Sequence, residues 1–538
     1  MTETRTEAES ENARFGRGGD SGEVEGGRAP VPGRMMITAA LMMAMTVAAL
    51  EQLVVSPALP TIISQLKGFE IYTWVVSAYL LAATVSTPLY GKLADIFGRK
   101  RVLLFGLALF SAGSMLSGAA WSMESLIAMR AIQGLGAGAV MPIVLTLLGD
   151  LFTLEERARV QGLFSAVWGL SSIAGPMVGG WVTVELGWRW VFFIIVPSAL
   201  LSFLMLAFGL KEQVARRRAA PIDWAGAALL SSGLTALLLI VLDGATLGFS
   251  RSLALGALML VLMVGFVVQE RRAIDPILPI DLMIRPAIAV SAIGSFAMGG
   301  LLFGIETFVP LYVQGVLGGT AKEAGRSLMP MFLAWSVSVT FAARAVARWG
   351  FRGAGVVGSC LVMLGIMILV HGAAHPHTAR VTFAVALVVV GAGMGPTSLS
   401  FLLAVQHSVS WGRRGVATGS ILFSRTIGGA IGVGLLGGVL SWELARLLTR
   451  ADARGVDISS ALRAETHHLL SARQLEVVQS SLGDSLWGVF LATAALAACC
   501  LLCATQLPSL ATAEAYAEAD SEAEAIDRDG LVVAASKA

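Results

Sequence analysis

Two carboxylates stand inside runs that are otherwise apolar. Glu51 lies in "LEQLVVSPALP" (50–60) and Glu306 in "LLFGIETFVPLY" (301–312). Two cations share such surroundings, Arg130 in "LIAMRAIQGLGAGAVMP" (126–142) and Arg425 in "FSRTIGG" (423–429). Burial disfavours the charged form of a carboxyl, while a nearby cation favours it. A carboxyl balanced between the two can bind a proton from one side of a membrane and lose it to the other. A charge at the centre of a spanning helix costs about 2.5–3.5 kcal/mol even on the insertion scale, so it usually faces a cavity or a partner. Glu51 therefore reads as the principal protonation site, tuned by Arg130. Glu306 reads equally as an assisting acid or a structural one, with Arg425 as its candidate partner. Gln133, three residues beyond Arg130, is a further candidate.

The elements that hold these charges must be membrane helices. The 538 residues are 56% hydrophobic and 14% charged, with a mean hydropathy of +0.76, against roughly 25% charged in soluble chains. A spanning helix needs about 20 mostly apolar residues. Such runs fall near 35–57, 71–90, 102–120, 123–149, 160–182, 189–210, 223–242, 252–269, 287–314, 325–346, 354–372, 381–406, 416–445 and 485–506, fourteen in all. An even number places both termini on one side. The short loops on that side hold Lys92, Arg99, Lys100, Arg101, Arg157, Arg159, Lys211, Arg216 to Arg218, Arg271, Arg272, Arg344, Arg348, Arg352, Arg413 and Arg414. Those opposite hold little beyond Lys67, Arg251 and Lys322. This asymmetry predicts cytoplasmic termini in a plasma membrane.

The ends and loops read simply. Residues 1–33 form a polar, Gly-rich cytoplasmic tail expected to be disordered, and 507–538 an acidic cytoplasmic tail, disordered from 511. The long extracytoplasmic loop 446–484 contains "ALRAETHHLLSARQLEVVQ", which predicts one amphipathic surface helix. His467 and His468 within it read as solvated. Cys360, Cys499, Cys500 and Cys503 lie in apolar segments and read as packing residues rather than as a disulfide pair or zinc site. No phosphate-binding loop, nucleophile motif or basic aromatic stripe occurs. The expectation is no enzyme, no cofactor and no nucleic-acid partner.

The chain also repeats itself. "GKLADIFGRK" (91–100) aligns with "ARAVARWGFR" (343–352), placing Gly98 against Gly350, and "GLGAG" (134–138) echoes "GAGMG" (391–395). Two six-helix halves, 34–210 and 286–506, would flank an inserted helix pair with its loops in 211–285. Related halves of this kind place a substrate site between them near the bilayer midplane.

"GKLADIFGRKRVL" resembles the cytoplasmic signature of the major facilitator superfamily, with Gly91, Asp95, Gly98, Arg99 and Lys100 at the motif positions and Ile96 in place of a basic residue. Arg130, Gln133 and Gly134 match a second signature of that family. "GLFSAVWGLSSIAGPMVGG" (162–180) resembles its antiporter signature at Gly162, Gly175, Pro176, Gly179 and Gly180, with Ser171 in place of a glycine. Glu51 stands at the acidic position of the first-helix pattern of the fourteen-helix drug:proton antiporter branch, where Leu53 replaces a threonine and Pro57 adds a kink. The resemblance implies an all-α polytopic membrane protein of the major facilitator fold, two six-helix halves plus two inserted helices. It implies proton-coupled export of amphipathic, including cationic, drug-like compounds by alternating access, by a monomer in the lipid bilayer. Asp95 with Arg99 would latch the cytoplasmic face, and Gly175 to Gly180 would pack the antiporter helix. The alternatives are export of an endogenous lipid, siderophore or metabolite, or a non-transporting receptor on the same fold. Energetically a proton suffices: at roughly 150 mV one charge sustains a gradient of a few hundredfold.

Overall fold

The computed structural model describes residues 34–152, 154–210, 223–273, 280–410, 413–451, 456, 458–462, 470–518 and 520. For Arg34, Asp95, 149–150, 154–159, 161–162, 165–166 and 242–247 it describes the backbone alone. Among the described residues there is no strand.

The first helix, α1 (Arg34–Val54), carries Glu51 close to its end. It stops there because Pro57 and Pro60 bring no N–H to continue the ladder. A 3-10 turn (Ser56–Ala58) follows, then α2 (Leu59–Leu66). Helices α3 (Trp74–Phe97) and α4 (Arg99–Gly118) meet at Gly98, whose φ of 92° suits glycine. The next is α5 (Met123–Leu151), opened by a reciprocal Ser122/Ser125 capping box. After it come α6 (Leu154–Glu185), α7 (Arg189–Phe193) and α8 (Val196–Gly209).

A pair follows, α9 (Trp224–Leu247) and α10 (Phe249–Glu270), and then the short α11 (Ile280–Met283). The remainder comprises α12 (Pro286–Gly315), α13 (Ala321–Ala373), α14 (Ala379–Gln406), α15 (Arg414–Arg450), α16 (Ile458–Ala461), α17 (Ala472–Thr505) and α18 (510–518). Helix α13 is two helices end to end, broken at Gly350, where φ is 69°. Gly98 and Gly350, aligned by the internal repeat, thus make the same break in corresponding helices.

A helix covers each of the runs expected from the sequence. Eleven helical stretches of the described residues are long and apolar enough to cross a membrane, and α13, one of these, holds two of the runs. Two expectations need correction. The loop 446–484 is shorter than expected, because α15 runs on to Arg450 and α17 begins at Ala472. The residues expected to form a surface helix supply, from Ala472, the first turns of α17, started by a Ser471/Gln474 capping box. His467 and His468 lie outside the described residues. The acidic tail is also not structureless from 511: α18 folds back, and Asp520 is buried at 3% exposure. Arg285 donates to Asp520 at 2.7 Å, the Ser410 N–H at 2.9 Å and Arg413 at 3.4 Å.

The core divides unevenly between the two faces. Near the face where α1 begins, apolar clusters stay within one group of helices. Ile37, Leu41, Leu103, Ile143, Phe164 and Leu206 form one such cluster, and Phe351, Phe401 and Leu507 another. At the remote face a single large cluster spans both groups, joining Leu53, Leu59, Ile62 and Tyr72 to Leu301, Phe308, Leu311 and Leu482. Burial of apolar surface therefore binds the two groups together on the remote side and, through the smaller cluster of Tyr79, Leu80, Phe303, Ala430 and Val433, further along the helices, while the clusters near the start of α1 stay separate.

Candidate functional site

Glu51 is wholly buried, and Arg130 of α5 is 2% exposed. The Arg130 Nη1 donates to Glu51 Oε1, forming an ion pair, and to Gln133 Oε1 at 2.7 Å. Its Nε donates to the Val75 carbonyl at 3.2 Å, and its guanidinium carbon lies 4.1 Å from the centroid of the Tyr79 ring. Gln133 reaches the guanidinium because positions three apart share a helix face.

The glycines of "GLGAG" explain how α3 comes so close. A Cβ at Gly134 would collide with the Tyr79 carbonyl, and one at Gly138 would stand 2.6 Å from the Ala83 carbonyl. Gly136, on the other side of α5, admits Phe110 of α4 in the same way. Removing these methyls lets α3 deliver the Val75 carbonyl and the Tyr79 ring to the arginine.

The sequence-derived trio of Glu51, Arg130 and Gln133 is thus one cluster. Its charges compensate, which is what makes a buried pair tolerable; breaking one partner away costs about 3–5 kcal/mol. Gln133 Nε2 finds no hydrogen-bond acceptor among the described residues.

Glu306 lies elsewhere, on α12, at 4% exposure. Its main-chain carbonyl accepts from the Ser56 hydroxyl. Arg425, on α15, is near enough that each charge acts on the other, but the described ion pairs do not include the two. Helices α12 and α15 touch closely here, since a Cβ at Gly299 would collide with the Arg425 carbonyl.

The glycine-rich stretch of α6 packs against both groups of helices. A Cβ at Gly175 would stand 2.7 Å from Leu53 Cβ, and one at Gly179 would collide with the Val54 carbonyl. Gly180 meets the Ala321 carbonyl, and the Pro176 carbonyl meets Gly325. This stretch therefore touches the helix end that bears Glu51 and the start of α13. The Gly162 side of the motif lies outside the described burial.

The 91–100 motif straddles the junction of α3 and α4. Gly91 sits inside α3, and a Cβ there would meet nothing within 4 Å, so it makes no close approach in this conformation. The Asp95 side chain lies outside the described residues. Lys100 donates to the Ala207 and Leu210 carbonyls at 2.7 and 2.6 Å, placing a cation at the C-terminal end of α8.

Sequence reasoning missed Tyr79 and Gln314. Tyr79 gave a usable signal, a phenol four residues beyond Val75 within the apolar "WVVSAYLLA". Gln314, 3% exposed near the end of α12, carried only its polarity.

Fold and site define a polytopic helical transporter. The family model of the Major Facilitator Superfamily matches residues 40–433, and the chain belongs to that family. It is 35% identical over 421 residues to the multidrug transporter protein MdtP of Bacillus subtilis strain 168, covering 77% of each chain. It is 33% identical over 402 residues to multidrug resistance protein 3 of the same organism, covering 74% of this chain and 78% of that one. A solved bacterial homologue of the human lysosomal transporter Spinster, inward-facing and unoccupied, shares the fold with a TM-score of 0.65 at 15% identity, over 88% of this chain and 98% of that one. The family and these relatives are transporters, not enzymes.

Proposed function

We propose that the chain is a proton-coupled exporter of amphipathic, including cationic, compounds, of the fourteen-helix drug:proton antiporter branch. It works as a monomer in the plasma membrane with both termini cytoplasmic. The observation that carries this reading is the Glu51–Arg130 ion pair, buried inside the helices at 0% and 2% exposure. Relatives named as multidrug transporters support the substrate class.

The cycle follows from charge balance. The fused core at the remote face supports assigning this structure to the inward-facing state, with the deprotonated Glu51 held by Arg130. A proton arriving from outside neutralises Glu51 and strips Arg130 of its counter-charge. An unpaired buried cation is costly. Gln133, the Val75 carbonyl and the Tyr79 face share part of that cost and hold Arg130 in place. Release of the proton to the cytoplasm re-forms the pair. No cofactor enters; the driving force is the proton gradient. Glu306, across the interface, assists as a second acid.

The test is uptake of a panel of lipophilic cations and neutral amphiphiles into everted membrane vesicles with an imposed pH gradient. Accumulation that collapses on adding a protonophore is expected. Accumulation indifferent to the gradient would contradict proton coupling.

A further inference from the structure

The remote face is closed by hydrogen bonds as well as apolar contact, and most of them converge on one side chain. Gln314 stands on α12, the helix of Glu306. Its Nε2 donates to the Pro57 carbonyl at 2.9 Å, and its Oε1 accepts from the Thr61 hydroxyl at 3.2 Å. Both partners belong to the break in the first helix that follows Glu51, the 3-10 turn and the start of α2. About two turns of α12 away, the Ser56 hydroxyl donates to the Glu306 carbonyl. A single buried amide thus has its donor and its acceptor satisfied by the opposite group of helices.

This arrangement depends on the break. A regular helix through 55–58 would keep its carbonyls in its own ladder and its polar side chains at other angles. Pro57 prevents that ladder. The turn then presents the Ser56 hydroxyl and the Pro57 carbonyl to α12, five and six residues beyond Glu51.

We infer that Gln314 is a positioning residue that latches the extracytoplasmic gate: its amide must part from Pro57 and Thr61 for the outward-facing state to form, and the proline turn transmits that parting to Glu51. This rests on the alternating-access reading above. Separation of the two groups at this face breaks both hydrogen bonds of the Gln314 amide at once, and water takes up both partners. A buried polar group that loses its partners without water is penalised more than the bond itself is worth, so the latch is either made or hydrated. Its two states are discrete.

Hydrogen–deuterium exchange of the purified full-length protein in lipid nanodiscs tests this without reference to any substrate. For Gln314→Leu, exchange in the segments 56–66 and 312–320 is expected to rise about tenfold, the population shift worth one to two buried hydrogen bonds. Exchange near Leu103 and Leu107, in the core of the first group, should stay unchanged. Gln314→Asn keeps the amide but cannot span both partners, and should give an intermediate rise. Thr61→Val combined with Gln314→Leu should exchange no faster than Gln314→Leu alone. In transport, Gln314→Leu should raise KM for cytoplasmic substrate several-fold with a smaller change in kcat. Wild-type exchange at 56–66 in Gln314→Leu, or a rise spread evenly through the chain, would overturn the latch. A wild-type protein that shows no proton-driven transport would overturn the functional reading while leaving the exchange result to stand by itself.

Discussion

At the scale of residues, the central object is an ion pair buried to 0% and 2% exposure. Removing the charge from Arg130 alone strands Glu51. Arg130→Met should therefore destabilise the folded protein by about 3–5 kcal/mol, whereas Arg130→Met with Glu51→Gln should recover most of that loss. Thermal unfolding of the purified variants in detergent reads this double-mutant cycle, and strictly additive losses would contradict the pairing. Tyr79 offers a second test. Tyr79→Phe keeps a ring face beneath the guanidinium, and Tyr79→Leu removes it, at a difference of about 1–2 kcal/mol. Thermal unfolding of Tyr79→Leu and Tyr79→Phe beside wild type reads this, and equal loss in the two variants would contradict the ring contact. The acid and the arginine were legible in the sequence because charges are rare in apolar helices. Gln314 was not, because an uncharged polar side chain costs too little in such a helix to stand out, and the signal of Tyr79 was only its spacing from Val75.

At the scale of elements, glycines decide which helices touch, and their roles separate cleanly. Gly91→Ala should be harmless or stabilise the fold by up to about 1 kcal/mol, since it adds a methyl in open space within a helix. Gly98→Ala should cost about 1–2 kcal/mol, since its positive φ is strained for any Cβ-bearing residue. A thermal-shift comparison distinguishes the two. Gly179→Val drives a side chain into the Val54 carbonyl, and overpacking of that kind costs about 1–3 kcal/mol. Its transport should fall at least tenfold with membrane insertion retained, as immunoblots of membrane fractions would show. The hydrophobic runs located every helix of spanning length among the described residues, because apolar length is a property of sequence alone. Helix ends were less visible. The extension of α15 to Arg450 and of α17 from Ala472 puts polar turns beyond the apolar span, where hydropathy gives no signal. The partners of each glycine were illegible for the same reason that makes them specific: they are carbonyls of distant segments.

At the scale of the whole molecule, two groups of helices share one core at the remote face and keep separate cores at the other. That asymmetry is tertiary, and no periodicity announces it. The acidic tail was misjudged because composition averages over residues, while Asp520 meets two particular arginines and one backbone N–H. Burial alone would raise the Asp520 carboxyl, but the Ser410 N–H and the Arg285 guanidinium outweigh it and hold the group below its usual value. With the folded value depressed, the clasp is complete above the ordinary carboxyl value of 3.8 and lost as pH falls below it. Asp520→Asn should weaken the clasp by about 1 kcal/mol, because both arginines are partly solvated, and limited proteolysis should then cut earlier between 507 and 520. The most direct test of the coupling claim is Glu51→Gln in everted vesicles, with downhill substrate exchange measured beside pH-driven accumulation. Proton-driven accumulation should vanish while downhill exchange persists. Full pH-driven accumulation by Glu51→Gln would show that the proton travels by another route.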